Sequence, residues 1–276
     1  MSPYQFIKRA VPSEWKDKWK ARFSSTKTLP KDLVARVWNR LGGGDPIPTG
    51  DFIYLGSGHR SASRFLRRGR TASKTIREIL ERNGVEIERF SAILDFGCGV
   101  GRVMRHWNSL QHPALYGTDY NPTLVRWCQG NLKFAEFQVN NLSSRLPYEP
   151  ETFDFIYAYS VFTHLSESLQ FFWINELSRV LKPGGYVYFT THGDFFFSQL
   201  SAEEKEAFLN GQLVVRGAEQ SGSNTCSTYH PLAFVRGNLA RDFSVLDFIP
   251  GRAEGDILHD IYLLMKLTHA SMNSPC

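Results

Sequence analysis

The sequence predicts an α/β domain: a seven-stranded, mostly parallel sheet with helices on both faces. Three observations predict it. Short apolar runs alternate with amphipathic helical patterns from about residue 91 onward, the signature of βαβ units. The first of those runs ends in a turn that carries three alternate glycines. The 276 residues, 42% apolar and 21% charged, have the size and mixture of one large globular domain with additions.

In chain order, residues 1–58 read as a basic N-terminal extension and connector, and residues 59–276 as the domain itself. Residues 1–40 hold ten Lys or Arg against three Asp or Glu. Residues 60–89 hold nine against four, so the net charge of +5 comes from the leading third while the rest of the chain is acidic. The stretch LGGGDPIPTGDFIYLGSG at 41–58 is rich in Gly and Pro and reads as a connector. A helix is expected over 71–83, where Ile76, Ile79 and Leu80 fall at i, i+3, i+4 and Gly84 stops the pattern. A strand at 91–96 follows, then the glycine turn, which opens a helix in the segment Arg102–Leu110.

Further strands are expected at Ala114–Thr118, Phe134–Val139 and Phe153–Tyr159, the last apolar on both faces as a central strand should be. Pro122 suits the first turn of a helix between the first two of these. A helix over Leu169–Leu181 gathers Leu169, Trp173, Leu177, Val180 and Leu181 on one stripe. It stops at Lys182-Pro183-Gly184-Gly185, where proline cannot continue it. Tyr186–Thr191 is the fifth strand, residues 201–235 form a lid-like insertion, and two strands at 243–249 and 260–267 complete the sheet.

Several classes are excluded or disfavoured. No stretch reaches the roughly 18 apolar residues that span a bilayer. The N-terminal segment has no apolar core of a secretory signal. Four cysteines (Cys98, Cys128, Cys226, Cys276) make neither a disulfide framework nor a metal-binding spacing, so no metal is expected and a reducing cytoplasm is the expected setting. The basic leader carries Trp15, Trp19 and Trp38. It reads either as a grip on nucleic acid or an anionic membrane, or as a solvated helix that packs its tryptophans on the body. Without an aromatic RNA-binding, zinc-finger or helix-turn-helix signal, nucleic acid is not the favoured partner.

The most informative stretch is Asp95-Phe96-Gly97-Cys98-Gly99-Val100-Gly101-Arg102. Glycine is needed because the backbone turns sharply after a strand and a Cβ would block close approach of a ligand. Asp119, at the end of the second strand, is placed to accept hydrogen bonds from both hydroxyls of a ribose. A dinucleotide turn carries its third small residue one position later; here Gly101 comes early and Arg102 follows, which fits a nucleoside without a pyrophosphate.

With these motifs in this order, the chain resembles the class I S-adenosylmethionine-dependent methyltransferases, whose sheet is Rossmann-like, from about residue 70 to 267. Leu146–Tyr148, Phe153–Leu165 and the RVLKPGG turn (Arg179–Gly185) belong to the same resemblance. It implies an enzyme with S-adenosyl-L-methionine as cofactor. Gly97, Cys98 and Gly99 would pass along the methionyl part, with Asp95 near its amino group; Asp119 would hold the ribose and Tyr120 would lie against the adenine. The third strand end offers Asn140, Asn141 and Leu142 where the family normally has an Asp, so the adenine-reading position is open by one residue. Tyr159 and Ser160 would line the gap between cofactor and acceptor.

Methyl transfer to oxygen or nitrogen needs a proton removed, which points to histidine. His164 and His192 both follow strand ends at the carboxyl edge of the sheet. Tyr229 and His230, in the run Ser223–Pro231, are the candidates from the insertion, as a lid over the acceptor. Arg60, Arg64, Arg67, Arg68 and Arg70 read as a solvated face or as contacts to an anionic acceptor or the cofactor carboxylate. The function expected is methyl transfer to a small-molecule acceptor, at oxygen. The chain lacks an amine-methylating (D/N)PP(Y/F) motif after the fourth strand, where Tyr159-Ser160-Val161-Phe162 stands instead. RNA or protein methylation through the basic leader, a non-catalytic cofactor-binding subunit and a nicotinamide oxidoreductase are the alternatives.

Overall fold

The computed structural model describes residues 31–252 and 258–268. Trp15, Trp19, Cys276 and most of the basic leader lie outside those residues. Seven strands form one sheet: β1 (Ala92–Phe96), β2 (Ala114–Asp119), β3 (Glu136–Val139), β4 (Phe153–Ala158), β5 (Leu181–Thr191), β8 (Phe243–Ile249) and β9 (Asp260–Lys266). Two short strands, β6 (Val214–Arg216) and β7 (Ser227–Tyr229), pair apart from it. The spatial order is β3-β2-β1-β4-β5-β9-β8, parallel except for β9, which runs antiparallel to both neighbours. The chain runs outward from β1 to β3 and then returns to β4, so the crevice between the carboxyl ends of β1 and β4 is the switch point.

Both faces of the central strands are buried, and the alternation of side chains sorts them into two cores. Ile93, Phe155, Tyr157 and Tyr188 point to one face, where Ile76, Ile79, Leu80 and Trp107 cover them. Leu94, Ile156, Val187 and Phe189 point to the other, against Trp173, Leu177 and Val180. Each such side chain taken out of water contributes about 1.5–3 kcal/mol, which is why runs apolar at every position settle in the middle of the sheet.

Five helices accompany this sheet: α1 (Lys31–Leu41), α2 (Gly50–Ser57), α3 (Ala62–Arg82) and α4 (Pro122–Asn131) precede β3, and α5 (Glu167–Val180) connects β4 to β5. Helix α3 starts nine residues before the position its apolar pattern indicates. Ser61 caps it by accepting from the Arg64 amide, and the arginine-rich first turns hide the buried Phe65, Gly69 and Ala72. The connector also holds structure, since α2 forms within it and ends at Gly58 in the left-handed conformation, φ 68°.

After the glycine turn only one 3₁₀ turn forms, Met104–Trp107, where a longer helix was expected; the His106 amide bonds the Val103 carbonyl three residues back. The segment expected as an insertion, 201–235, includes α6 (Ala202–Leu209), opened by a Ser201–Glu204 capping box, and the β6–β7 pair.

Candidate functional site

The crevice at the ends of β1 and β4 is shaped by backbone the sequence made unusual. Gly97, Gly99 and Gly101 all take positive φ, 76°, 56° and 67°. A Cβ at Gly97 would sit 2.4 Å from a Val161 methyl. Across the turn lies Gly56 of α2, where a Cβ would meet the Gly99 Cα at 3.6 Å. The glycines thus let two backbones approach over the crevice. At the end of β4, Ser160 is held at φ 63°, a strained conformation for a residue with a Cβ, and its amide donates to Thr190 Oγ1 at 2.9 Å.

Two cavities meet here. The first is a cleft walled by Gly97, Asp119, Tyr120, Asn140, Leu142 and Trp173, with Gly222 and Asn224 from the insertion. Asp119 is 8% exposed and accepts from the Gly99 amide through one oxygen and from the Asn121 amide through the other, each at 2.9 Å. Burial pushes its carboxyl upward, against those two amides. Asn140 donates through Nδ2 to the Asn141 carbonyl, and its Oδ1 is buried with no protein partner. An acceptor atom in that state marks where a donor of a ligand would fit.

The second cavity, about 570 Å³, opens from the first and is walled by Arg64, Arg67, Arg68, Arg102, Tyr159 and His259. Gly56, Ser160, His164 and Asn224 belong to both walls. Asn224 Nδ2 donates to the Tyr54 and Leu55 carbonyls, and the Gly222 amide donates to the His164 carbonyl, so the insertion is strapped to α2 across the junction.

His164 stands at that junction. Its Nδ1 lies 2.7 Å from the Cys226 carbonyl oxygen. A carbonyl only accepts, so Nδ1 carries the proton and Nε2 keeps the basic lone pair. Burial holds the ring's pKa below the ordinary 6.5, which keeps Nε2 free at neutral pH.

The expected site residues divide by position. Gly97, Asp119, Tyr120, Asn140, Leu142, Tyr159, Ser160 and His164 wall the cavities. Asn141 is solvent-exposed and only its carbonyl is engaged, so Asn140 is the third-strand residue at the cleft. Gly99 acts through its amide, bonded to Asp119. The Cys98 side chain is buried in the core beside Cys128, and burial with that neighbour pushes its thiol well up. Asp95 is buried under the turn, where desolvation raises its carboxyl to about 7.

His192 bonds the Thr228 carbonyl through Nδ1 and packs edge-on to His164, with ring centroids 6.3 Å apart; it walls neither cavity. Tyr229 and His230 are turned away from them. Tyr229 packs with Phe208 and Val214 and accepts from Arg216, while His230 is fully buried with Nε2 on Gln170 Oε1. The apolar surroundings of the insertion draw these two side chains inward, and the part of it that reaches the cleft is Gly222–Asn224. Sequence reasoning did not single out Gly56 or His259, and placed Asn224 only as one member of the run Ser223–Pro231. No motif marks them, because each reaches the site from an element distant in sequence.

Residues 94–189 match a family model described as a methyltransferase domain. The phthiotriol/phenolphthiotriol dimycocerosates methyltransferase 1 of Mycobacterium ulcerans is 35% identical over 104 residues, which cover 36% of this chain and 36% of that protein. The chain therefore spans about a third of the length of that curated relative. Among solved structures, a SAM-dependent methyltransferase of Methanosarcina mazei aligns with a TM-score of 0.51 at 23% identity, covering 68% of this chain and 97% of that one. The 1,6-didemethyltoxoflavin-N1-methyltransferase of Burkholderia thailandensis, solved with S-adenosylhomocysteine, aligns with a TM-score of 0.54 at 15% identity, covering 88% and 93%. At such identities these structural likenesses concern the fold. No helix among the described residues is long and apolar enough to cross a membrane.

Proposed function

We propose that this chain, a member of the class I S-adenosylmethionine-dependent methyltransferase superfamily, transfers a methyl group from S-adenosylmethionine to an oxygen of a small-molecule acceptor. The observation that carries the reading is the place of His164, on the wall common to both cavities and with its tautomer set by the Cys226 carbonyl.

The residues of the cleft fit the cofactor. Asp119 offers a buried carboxylate for ribose hydroxyls, and the partnerless Asn140 Oδ1 offers an acceptor for the exocyclic amine of adenine. The glycine turn leaves its backbone open to the methionyl part, and Tyr120 flanks the base. When bound, the cofactor supplies a methyl group already activated by a sulfonium.

What remains for the chain is alignment, water exclusion and proton removal. Tyr159 and Ser160 border the junction and position the acceptor hydroxyl. The strap between Asn224 and α2 screens that junction from solvent. His164 Nε2 accepts the hydroxyl proton as the oxygen becomes the nucleophile, and the resulting imidazolium is stabilised through Nδ1 by the Cys226 carbonyl. His192, edge-on to His164, holds the ring in position.

The test pairs binding with turnover. Calorimetry should find S-adenosylmethionine binding and no stabilisation by NAD(P). Metabolite extracts incubated with methyl-labelled cofactor should yield a labelled small molecule, with the label on oxygen. Binding without any labelled product would assign a non-catalytic role, and label confined to RNA or protein would move the acceptor to those classes.

A further inference from the structure

The second cavity carries more positive charge than the cofactor chemistry uses. Arg64, Arg67, Arg68 and Arg102 converge on its wall, and no carboxylate lies there. Three other arginines on and near α3 are answered: Arg60 by Asp51, Arg77 by Glu88 and Arg82 by Asp247. Among the described residues, none of the four has an ion-pair partner. The Arg102 guanidinium rests over the Tyr159 ring, 5.2 Å from its centroid.

The clustering is built into the fold. Gly69 of α3 lies so close to the glycine turn that a Cβ there would sit 2.1 Å from the Arg102 carbonyl oxygen. That contact brings Arg68, its neighbour in α3, to the cavity that Arg102 enters from the turn. Surrounding groups register the field. His59, with both ring nitrogens buried and partnerless, is held neutral down to about 4 by burial and by Arg64, Arg68 and Arg102. Asp95 is the carboxyl that Arg102 feels, and burial raises it to about 7.

S-adenosylmethionine does not cancel this charge. Its one carboxylate is outweighed by an ammonium and a sulfonium, so its binding adds a further positive charge. We infer that the cavity seats an oxyanion of the acceptor, a phosphate or carboxylate group on a small molecule whose hydroxyl then lies at His164. Guanidinium forks match such groups with paired hydrogen bonds, and the Thr71 and Ser57 hydroxyls on the same wall add neutral donors. Convergence of the four on one cavity, not a stripe along a surface, favours a single compact anion over a polyanion. This assignment rests on the methyltransferase reading and names its substrate class.

The test uses the full chain with S-adenosylmethionine present and three probes: inorganic phosphate, malonate and an unstructured oligoribonucleotide. Phosphate or malonate should raise the melting temperature of the wild type and of Arg60→Gln, and calorimetry should show saturable binding. Arg68→Gln should be at least as stable as the wild type without anion, because a like charge has been removed. It should weaken anion binding about tenfold and leave cofactor affinity unchanged. Preference for phosphate or for malonate supports the proposal and identifies the group. No anion binding, equal binding by wild type and Arg68→Gln, or tighter binding of the oligoribonucleotide that Arg68→Gln abolishes would overturn it. Failure of the wild type to bind S-adenosylmethionine is a separate result, which removes the methyltransferase reading and with it the assignment of the anion to an acceptor.

Discussion

His164 and Cys226 stand 62 residues apart in the chain, yet the histidine Nδ1 lies 2.7 Å from the cysteine's carbonyl oxygen. One hydrogen bond therefore joins the end of β4 to the insertion and decides which ring nitrogen is basic. His164→Ala should lower turnover by about 10²–10⁴-fold, the range for a positioned general base, with cofactor affinity unchanged. Because burial depresses this ring's pKa, the acid limb of the rate profile should have its midpoint below 6.5. A wild-type rate in the alanine variant would move the base to His259, the other histidine on the cavity wall.

Asp119 has two duties, holding the turn through Gly99 and presenting its carboxylate to the cleft. Asp119→Ala should weaken S-adenosylmethionine binding by about 1–3 kcal/mol through loss of charge-assisted bonds. Calorimetry returning the wild-type dissociation constant would remove this residue from the cofactor site.

Gly97→Ala combines a positive φ with a Cβ 2.4 Å from Val161. At Gly99 a Cβ would meet only Gly56, at 3.7 Å, so the penalty there is mainly conformational, about 1 kcal/mol. Denaturant unfolding should find Gly97→Ala the more destabilised. Adding Val161→Ala should recover the steric part alone, visible as a coupling energy in the double-mutant cycle.

Gly69→Ala tests the approach of α3 to the turn. Helix propensity alone favours alanine by about 1 kcal/mol. The 2.1 Å approach to the Arg102 carbonyl should reverse that sign, because backbone on both sides has no room to yield. A stabilised variant would show that the two elements do not touch.

The buried histidines should make the native state more sensitive to acid. His230 is fully buried and its pKa is lowered to about 3, and His192 to about 4, so the native state binds their protons more weakly than the unfolded chain. The contribution is complete above pH 6.5 and is lost progressively as pH falls toward those values, on the order of 4 kcal/mol for His230. The raised Asp95 carboxyl acts in the opposite sense, so the difference between variant and wild type isolates the histidine: from pH 7 to 4, His230→Gln should lose less unfolding free energy than the wild type. An unchanged slope in that variant would place the titration elsewhere.

Much of this was legible locally. Apolar runs marked the central strands β1 and β4, because a strand buried on both faces is apolar at nearly every position, and the glycine turn with Asp119 marked the crevice. The extent of α3 was hidden, since the buried faces of Phe65 and Ala72 are interleaved with arginines. The 3₁₀ turn after Gly101 replaced a longer helix because close packing of α3 against that segment, not its own propensity, governs it.

The chain by itself determined the sheet, its switch point and the acidic residue at the cleft, since each depends on spacing within a few residues. Only the tertiary structure decided which histidine meets the cavities, that Tyr229 and His230 turn into the insertion's core, and that Arg68 and Arg102 share one wall. Those outcomes depend on contacts between segments tens of residues apart, and periodicity within a segment carries no information about what will be packed against it.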